Sequence, residues 1–397
     1  MYLLYQTFFI VDIILSRYDI AELSAAAVMA VSFIVFLCYY LGAFLSVANH
    51  RHSKKVGGLR NVKPGPISVI VVVHDDFDYI ENRLPLLLGQ EYEAPYQVVV
   101  VCDTPEGDRA PEMLEELASR NKHLYVTVIP PDHKFHHTNK LAFTVGMKAA
   151  IYDNVIITSS EAAPVSSEWL SIMSYGFTSD KVLVSGYNRI GRAKGFFNKF
   201  QRAINIHESL LMLSRAVAGH PYRVSRHNSG QSKSIFFDNK GFTDHLRLNV
   251  GESDLYIQQI ASNAESNVII NPKGITESVP YDSVATWYNR RKFFSYPFRF
   301  FRPGVRFYIF ISYLFTALFW ASAITLAVIS VSELRIAALS AMALRWIVIM
   351  SVTARFSYRT GDTTPHAAML LYDFISPVEI LILTVSRNIL SLRNLWV

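Results

Sequence analysis

Acidic side chains close several of the valine-rich runs in this chain, and a carboxylate at the tip of a buried strand is well placed for chemistry. Residues 67–73 run into His74-Asp75-Asp76, and residues 97–101 run into Cys102-Asp103. A later apolar run, 155–158, ends in Ser159-Ser160-Glu161, while Gly251-Glu252-Ser253-Asp254-Leu255 opens a helical stretch. Carboxylates at strand tips accept hydrogen bonds from a base or from sugar hydroxyls, and a lysine such as Lys140 can meet phosphates. Glu252 and Asp254 also have a plainer reading, as acids favoured at the positive end of a helix. The polar loop 133–140 holds three histidines within five residues. Without an accompanying carboxylate it reads as a solvated or phosphate-facing turn rather than a metal site. Cys102, directly after a strand, reads as a small buried side chain rather than a nucleophile.

Groups of this kind need a frame. Fully apolar strands alternating with helices indicate a parallel sheet covered on both faces, with ligands beyond the carboxyl ends of its strands. Strand, acid, helix (79–90), strand, acid is the layout of a nucleotide-binding half-domain. The glycine fingerprint of dinucleotide folds is absent, which argues against NAD or FAD. Further helices are expected over 111–120, 141–150 and 196–218, and further strands over 124–129, 155–158 and 182–186. Pro64-Gly65-Pro66 marks the entry into this domain.

The 397 residues are 51% apolar and only 18% charged, with a net charge of +6, which is greasy for a soluble enzyme. Residues 23–48 carry no charge and are long enough to cross a hydrocarbon core of about 30 Å. No cleavage pattern follows, so this is a retained anchor. His50, Arg51, His52, Lys54 and Lys55 then mark the cytoplasmic side. Residues 307–331 and 336–354 are two further spans, the second with Arg345 at its middle, where it must face a helix, an acidic partner or a lipid headgroup. Residues 1–16 read as an interfacial helix, and 365–385 as an interfacial or re-entrant piece. Between domain and spans, 290–302 interleaves arginine with phenylalanine and tyrosine, as in a segment lying among lipid headgroups. Lipid, not nucleic acid, is the expected partner of that segment.

Taken together, SVIVVVHDD, VVVVCD, NKLAFTVGMKAA, VIITSSEAAP, GHPYRVSRHNSGQSKSIFF, GESDLYIQQIA and WYNRRKFF fall in an order and spacing that resembles the family-2 glycosyltransferases. The similarity covers residues 66–302. It implies an α/β fold of the GT-A type, Rossmann-like and mostly parallel, with N- and C-terminal transmembrane helices. It also implies transfer of a sugar from a nucleotide-sugar donor, UDP-like, with inversion. By position, His74, Asp76, Asp103, Lys140, Ser159, Arg290 and Arg291 would contact the donor, and Trp287 the acceptor. Glu252, with Asp254 beside it, would supply the general base. Where the family carries Asp-x-Asp, this chain has Ser159, Ser160 and Glu161, leaving Glu161 alone to hold Mg²⁺ or Mn²⁺ against the diphosphate. The family's glutamine ahead of Trp287 is missing. With a metal-poor site, Arg290, Arg291 or Lys233 would neutralise the leaving diphosphate.

The expected organisation is an anchor (1–50), a cytoplasmic transferase domain (64–289), a basic-aromatic segment (290–305) and a membrane region (306–397), in the inner membrane. The acceptor would be a lipid-linked sugar, a polyprenyl phosphate or a glycan. The competing reading is an inactive relative that serves as a binding or scaffold subunit beside a membrane-protein partner.

Overall fold

The computed structural model describes residues 18–50, 64–73, 78–103, 110–129, 139–330 and 333–389. The expectations placed on 1–16, on His74 and Asp76, and on 133–138 lie outside those residues.

Ten strands are described: β1 (Ile67–Val73), β2 (Tyr96–Cys102), β3 (Leu124–Val128), β4 (Asn154–Ile157), β5 (Ala162–Pro164), β6 (Val182–Gly186), β7 (Asn188–Ile190), β8 (Ser229–Ser232), β9 (Glu265–Ile269) and β10 (Thr276–Ser278). Seven form one sheet in the order β3-β2-β1-β4-β8-β6-β9, and β5-β10-β7 form a small second sheet. Only β8 runs against its neighbours in the large sheet. The valine runs of β1 and β2 are apolar on both faces because both faces are covered. Val69, Val71 and Val73 pack with Leu84, Trp169 and Leu170 on one side. Ile70, Val99 and Val101 pack on the other side with Ala142 and Met147, which belong to a helix over Asn139–Ala149. That helix lies so close that a Cβ added to Gly146 would meet Ile70 at 2.6 Å. Cys102 is the last residue of β2 and is fully buried, as expected of a small core side chain.

The reversed direction of β8 decides what reaches the working edge of the sheet. Ser229 pairs with Ile157 and Ser232 with Asn154, so residues 225–228 emerge where β1, β2 and β4 end. Lys233 emerges at the opposite edge, where its ammonium donates to the Ala150 carbonyl at 2.5 Å. It therefore cannot neutralise a ligand at the carboxyl edge. Asn228 anchors the incoming loop. Its amide donates to the Tyr187 and Gly274 carbonyls, both at 2.9 Å, and accepts from the Trp169 indole at 3.2 Å.

Five helices connect this domain to the apolar part of the chain: α1 (Ile20–Ala48), α2 (Phe196–Val217), α3 (Val284–Ser295), α4 (Pro303–Ile329) and α5 (Glu333–Thr360). A sixth, α6, follows over His366–Ile389. α1, α4, α5 and α6 are long and apolar enough to cross a membrane. Asp19 starts α1 with a capping box to Glu22. α2 is the joint: its Leu210 and Leu213 share one core with Phe44 and Val47 of α1, Phe356 of α5 and Tyr372 of α6.

The last apolar segment, expected to be interfacial or re-entrant, is one continuous helix despite Pro377 within it. Proline removes a backbone donor from a helix, and the Ser376 hydroxyl, 3.3 Å from the Asp373 carbonyl, takes up the freed acceptor. The aromatic residues of 290–302 also turn inward. Tyr296 and Phe301 are buried, and Phe293, Phe294 and Phe298 pack on the central core. Phe300 is the exposed one of this group, at 43%.

Arg345 does find an acidic partner. Its guanidinium meets both oxygens of Asp373, at 2.6 and 2.8 Å, and stacks on Phe36 and Phe319. The Trp320 indole donates to the same carboxylate at 3.0 Å. Removing one member of a buried pair leaves an uncompensated charge. Asp373→Ala should therefore destabilise the chain by about 3–5 kcal/mol in detergent unfolding, and Arg345→Met with Asp373→Leu should recover most of that loss. Asn228→Ala should cost about 2–4 kcal/mol in the same assay, because it strands buried partners on three elements.

Candidate active site

At the carboxyl edge of the sheet, the loop after β4 meets the loop before β8. Side-chain hydroxyls hold the second loop in place: those of Thr158 and of Thr276 on β10 donate to the His227 carbonyl at 3.0 and 3.1 Å. The Arg226 Nε–H donates to His227 Nε2 at 3.2 Å, so that nitrogen is the acceptor. The ring proton then sits on Nδ1, which donates to the Ser159 hydroxyl at 2.6 Å. Burial, reinforced by the Arg226 charge, pushes His227 well below the usual histidine range, so the ring is neutral. Ser159 thus accepts from the imidazole and keeps its own O–H as a donor.

Glu161 stands beside this group and is committed to cations. One carboxylate oxygen accepts from Arg226 Nη2 at 2.6 Å, and the other contacts Arg290. Arg226 and Arg290 both lie over the Phe294 ring, at 3.8 and 5.3 Å from its centre. A divalent cation does not fit these residues. The lone carboxylate already carries two guanidiniums, and no group of three or more His, Cys, Asp or Glu side chains gathers among the described residues. The expectation of a metal held by Glu161 is therefore not met by this geometry.

Glu252 follows Gly251, whose φ of +115° is a conformation that side chains with a Cβ rarely adopt. The turn places Glu252 in the wall of a cavity, with one carboxyl oxygen, Oε2, buried and unpartnered. Burial raises its carboxyl above the ordinary glutamate range, with the neighbouring Asp254 adding to the rise. Asp254 itself caps a short helix, accepting from the Leu255 amide at 2.6 Å, and pairs with Arg223 at 3.6 Å. The capping reading suits Asp254, whereas Glu252 caps nothing.

Lys140 sits elsewhere than expected. It is fully buried, and its ammonium donates to the carbonyls of His245 and Leu248 rather than facing a diphosphate. Burial lowers it to about 8, against the pull of Glu252 and Asp254. Asp103 closes β2 on the far side of β1, about 10 Å from the end of β4 by two strand spacings. Trp287 is buried edge-on between Phe197 and Phe200, under the Arg291 guanidinium. Arg291 is bonded to Glu208 at 2.9 Å and to Glu379 at 2.8 Å, which removes it from the set of free cations.

These elements enclose a cavity of about 960 Å³. Glu161, Arg226, Glu252 and Arg290 line one end, and Phe310, Leu314, Ile380 and Leu381, from α4 and α6, line the other. Arg226 and Arg223 are the residues that reading the sequence passed over. The visible signal was a basic, histidine-bearing run, Arg223–Asn228, just ahead of a glycine.

No protein-family model matches the chain, and no curated protein matches it in sequence. Solved structures do. The mannosyltransferase PcManGT from Pyrobaculum calidifontis, determined with GDP-Man and Mn²⁺, is similar with a TM-score of 0.50 and 17% identity, over 89% of this chain and 99% of that one. Residues 1–349 of TarS from S. aureus give 0.38 and 15%, over 80% and 91%. The same TarS fragment with UDP-GlcNAc gives 0.41 and 13%, over 80% and 91%. The likeness to the mannosyltransferase, with the mostly parallel seven-stranded sheet, establishes a glycosyltransferase fold of the GT-A type carrying apolar helices at both ends.

Proposed function

We propose that this chain is a membrane-bound, inverting glycosyltransferase of family 2 that moves a hexosyl group from a nucleoside-diphosphate sugar to a lipid-carried acceptor. One observation supports the reading above the others: a single cavity joins the carboxylate and arginines at the sheet edge to the apolar gap between α4 and α6. A molecule with a polar head and a long hydrocarbon tail matches both ends. A free sugar would gain nothing from the apolar wall. The fold likeness to a protein determined with GDP-Man supports the donor class, and Asp76 and Asp103 remain the groups proposed for its base and ribose.

In this reading the sheet domain lies on the cytoplasmic face of the inner membrane. The exposed Leu371, Phe374, Val378 and Ile382 of α6 turn toward lipid, while Tyr372, Glu379 and Ser386 hold that helix against α2 and α3. The acceptor hydroxyl attacks C1 of the donor sugar as Glu252 takes its proton. The new C1–O bond forms while the bond to the diphosphate breaks, and the nucleoside diphosphate departs with the electron pair. One base and one displacement invert the anomeric centre. A buried carboxylate suits the role because its raised pKa brings it nearer the working pH.

The full-length chain in detergent with extracted lipid should consume a UDP- or GDP-sugar and place the sugar in the lipid fraction. Glu252→Gln should lower kcat by about a hundredfold or more. The base works only when ionised, so the wild-type rate should rise with pH through a limb displaced above the ordinary glutamate range, near 4.3. Turnover of Glu252→Gln at the wild-type rate would discard the base assignment. Failure of every donor to turn over, with nucleotide still bound, would favour the scaffold reading. Leu314→Trp should raise KM for the lipid acceptor severalfold and leave donor affinity in place.

A further inference from the structure

The sheet edge where this fold's diphosphate would lie holds an arginine pair instead of a carboxylate pair, and the pair is built rather than incidental. Arg226 is fixed from behind by His227, whose ring is in turn held by Ser159 and whose carbonyl is held by Thr158 and Thr276. Arg290 arrives from α3, one residue before the anchored Arg291. Both guanidiniums stack on Phe294, which excludes water from one face of each. Each meets a different oxygen of Glu161, so two positive charges face one negative charge and the cluster carries one net positive charge. His227 adds none, being neutral.

We propose that Arg226 and Arg290 take the donor diphosphate in place of a divalent cation, so that nucleotide binding by this chain is independent of metal. The inference rests on the transferase reading above and deepens it at the same site. Planar guanidiniums present paired N–H groups that match phosphate oxygens. Glu161 is the tether in this arrangement. It holds the two arginines in place in the empty site and yields them when the diphosphate, with its greater negative charge, enters the cavity. As the C1–O bond breaks, charge builds on the diphosphate, and the fixed guanidiniums stabilise it without a bound ion. Ser159 and Glu161, which stand where metal carboxylates would be expected, serve to orient the arginines.

The test is calorimetric titration of the full chain in detergent with GDP and with UDP, each in EDTA and each in millimolar Mn²⁺. At least one nucleotide should bind, with a Kd that differs by less than about twofold between the two buffers. Arg226→Met and Arg290→Met should each weaken that Kd about tenfold or more, the loss expected for one charge-assisted contact. Glu161→Gln should tighten it severalfold by removing the competing anion. Arg290 is 41% exposed at its side chain, so its variant should fold even if the Arg226 variant does not. Affinity that rises tenfold with Mn²⁺, and loses that gain in Glu161→Gln, would make Glu161 a metal ligand and overturn the inference while leaving the transferase reading standing. Metal-free binding unchanged in Arg290→Met would also overturn it. No binding of either nucleotide in either buffer would remove the transferase reading and this inference together.

Discussion

The cavity exists because one arginine holds three helices at a fixed separation. Arg291, on α3, bonds Glu208 of α2 at 2.9 Å and Glu379 of α6 at 2.8 Å, with a second contact to Glu379 through Nε at 3.0 Å. Burial works against the charge on Arg291, but the two carboxylates outweigh it and hold the group above its ordinary range. The reciprocal effect appears on Glu208: burial pushes its carboxyl up, and Arg291 with Arg223 brings it below the usual value. An ion cluster of this kind is costly to desolvate and costlier to break. What it provides is register, since α6 cannot slide along the domain without stranding Glu379.

That register sets two chemistries side by side. α6 stands off from α4 by enough to leave an apolar gap, and the gap opens directly onto the sheet edge carrying Glu252, Glu161, Arg226 and Arg290. Within the helices, the Arg345–Asp373 pair ties α5 to the same α6, close to the turn where Ser376 compensates for Pro377. Two ion pairs thus anchor α6, beside the packing of Ala368, Met369 and Tyr372 in the central core. The sheet domain, by contrast, is held by close packing of valine and isoleucine, and its polar anchors are short-range, as in the threefold bonding of Asn228. The division follows from chemistry: apolar helices surrounded by apolar material gain little from burial, so polar contacts fix their placement.

Much of the sheet was legible because its strands are apolar through and through. β1, β2 and β6 lie where valine runs predict them, and α1 and α4 follow from long uncharged stretches. β8 was not legible. Its sequence, Ser-Gly-Gln-Ser, has no apolar residue, yet it is a buried central strand. Small side chains are required there, since a Cβ on Gly230 would come within 2.8 Å of Phe177. Missing β8 meant missing that the loop before it, with Arg226 and His227, enters the site. Lys140 misled for the opposite reason: a lysine ahead of a helix reads as a phosphate ligand, whereas here it satisfies two carbonyls of a turn brought from over a hundred residues away. Arg290 and Arg291 are adjacent in sequence and lie on different sides of one helix. One faces the sheet edge and the other locks the fold, a distinction that only the packing of α3 makes.

The claim on which the account turns is that the gap between α4 and α6 opens to lipid and leads to Glu252. Nitroxide labels placed singly at Leu314, Ile380 and Leu381, in vesicles holding the full chain, measure this through their relative accessibility to oxygen and to a water-soluble nickel chelate. The account predicts oxygen-dominated, lipid-like values at all three positions. Nickel-dominated values at those positions would mean a water-filled cleft and would contradict it.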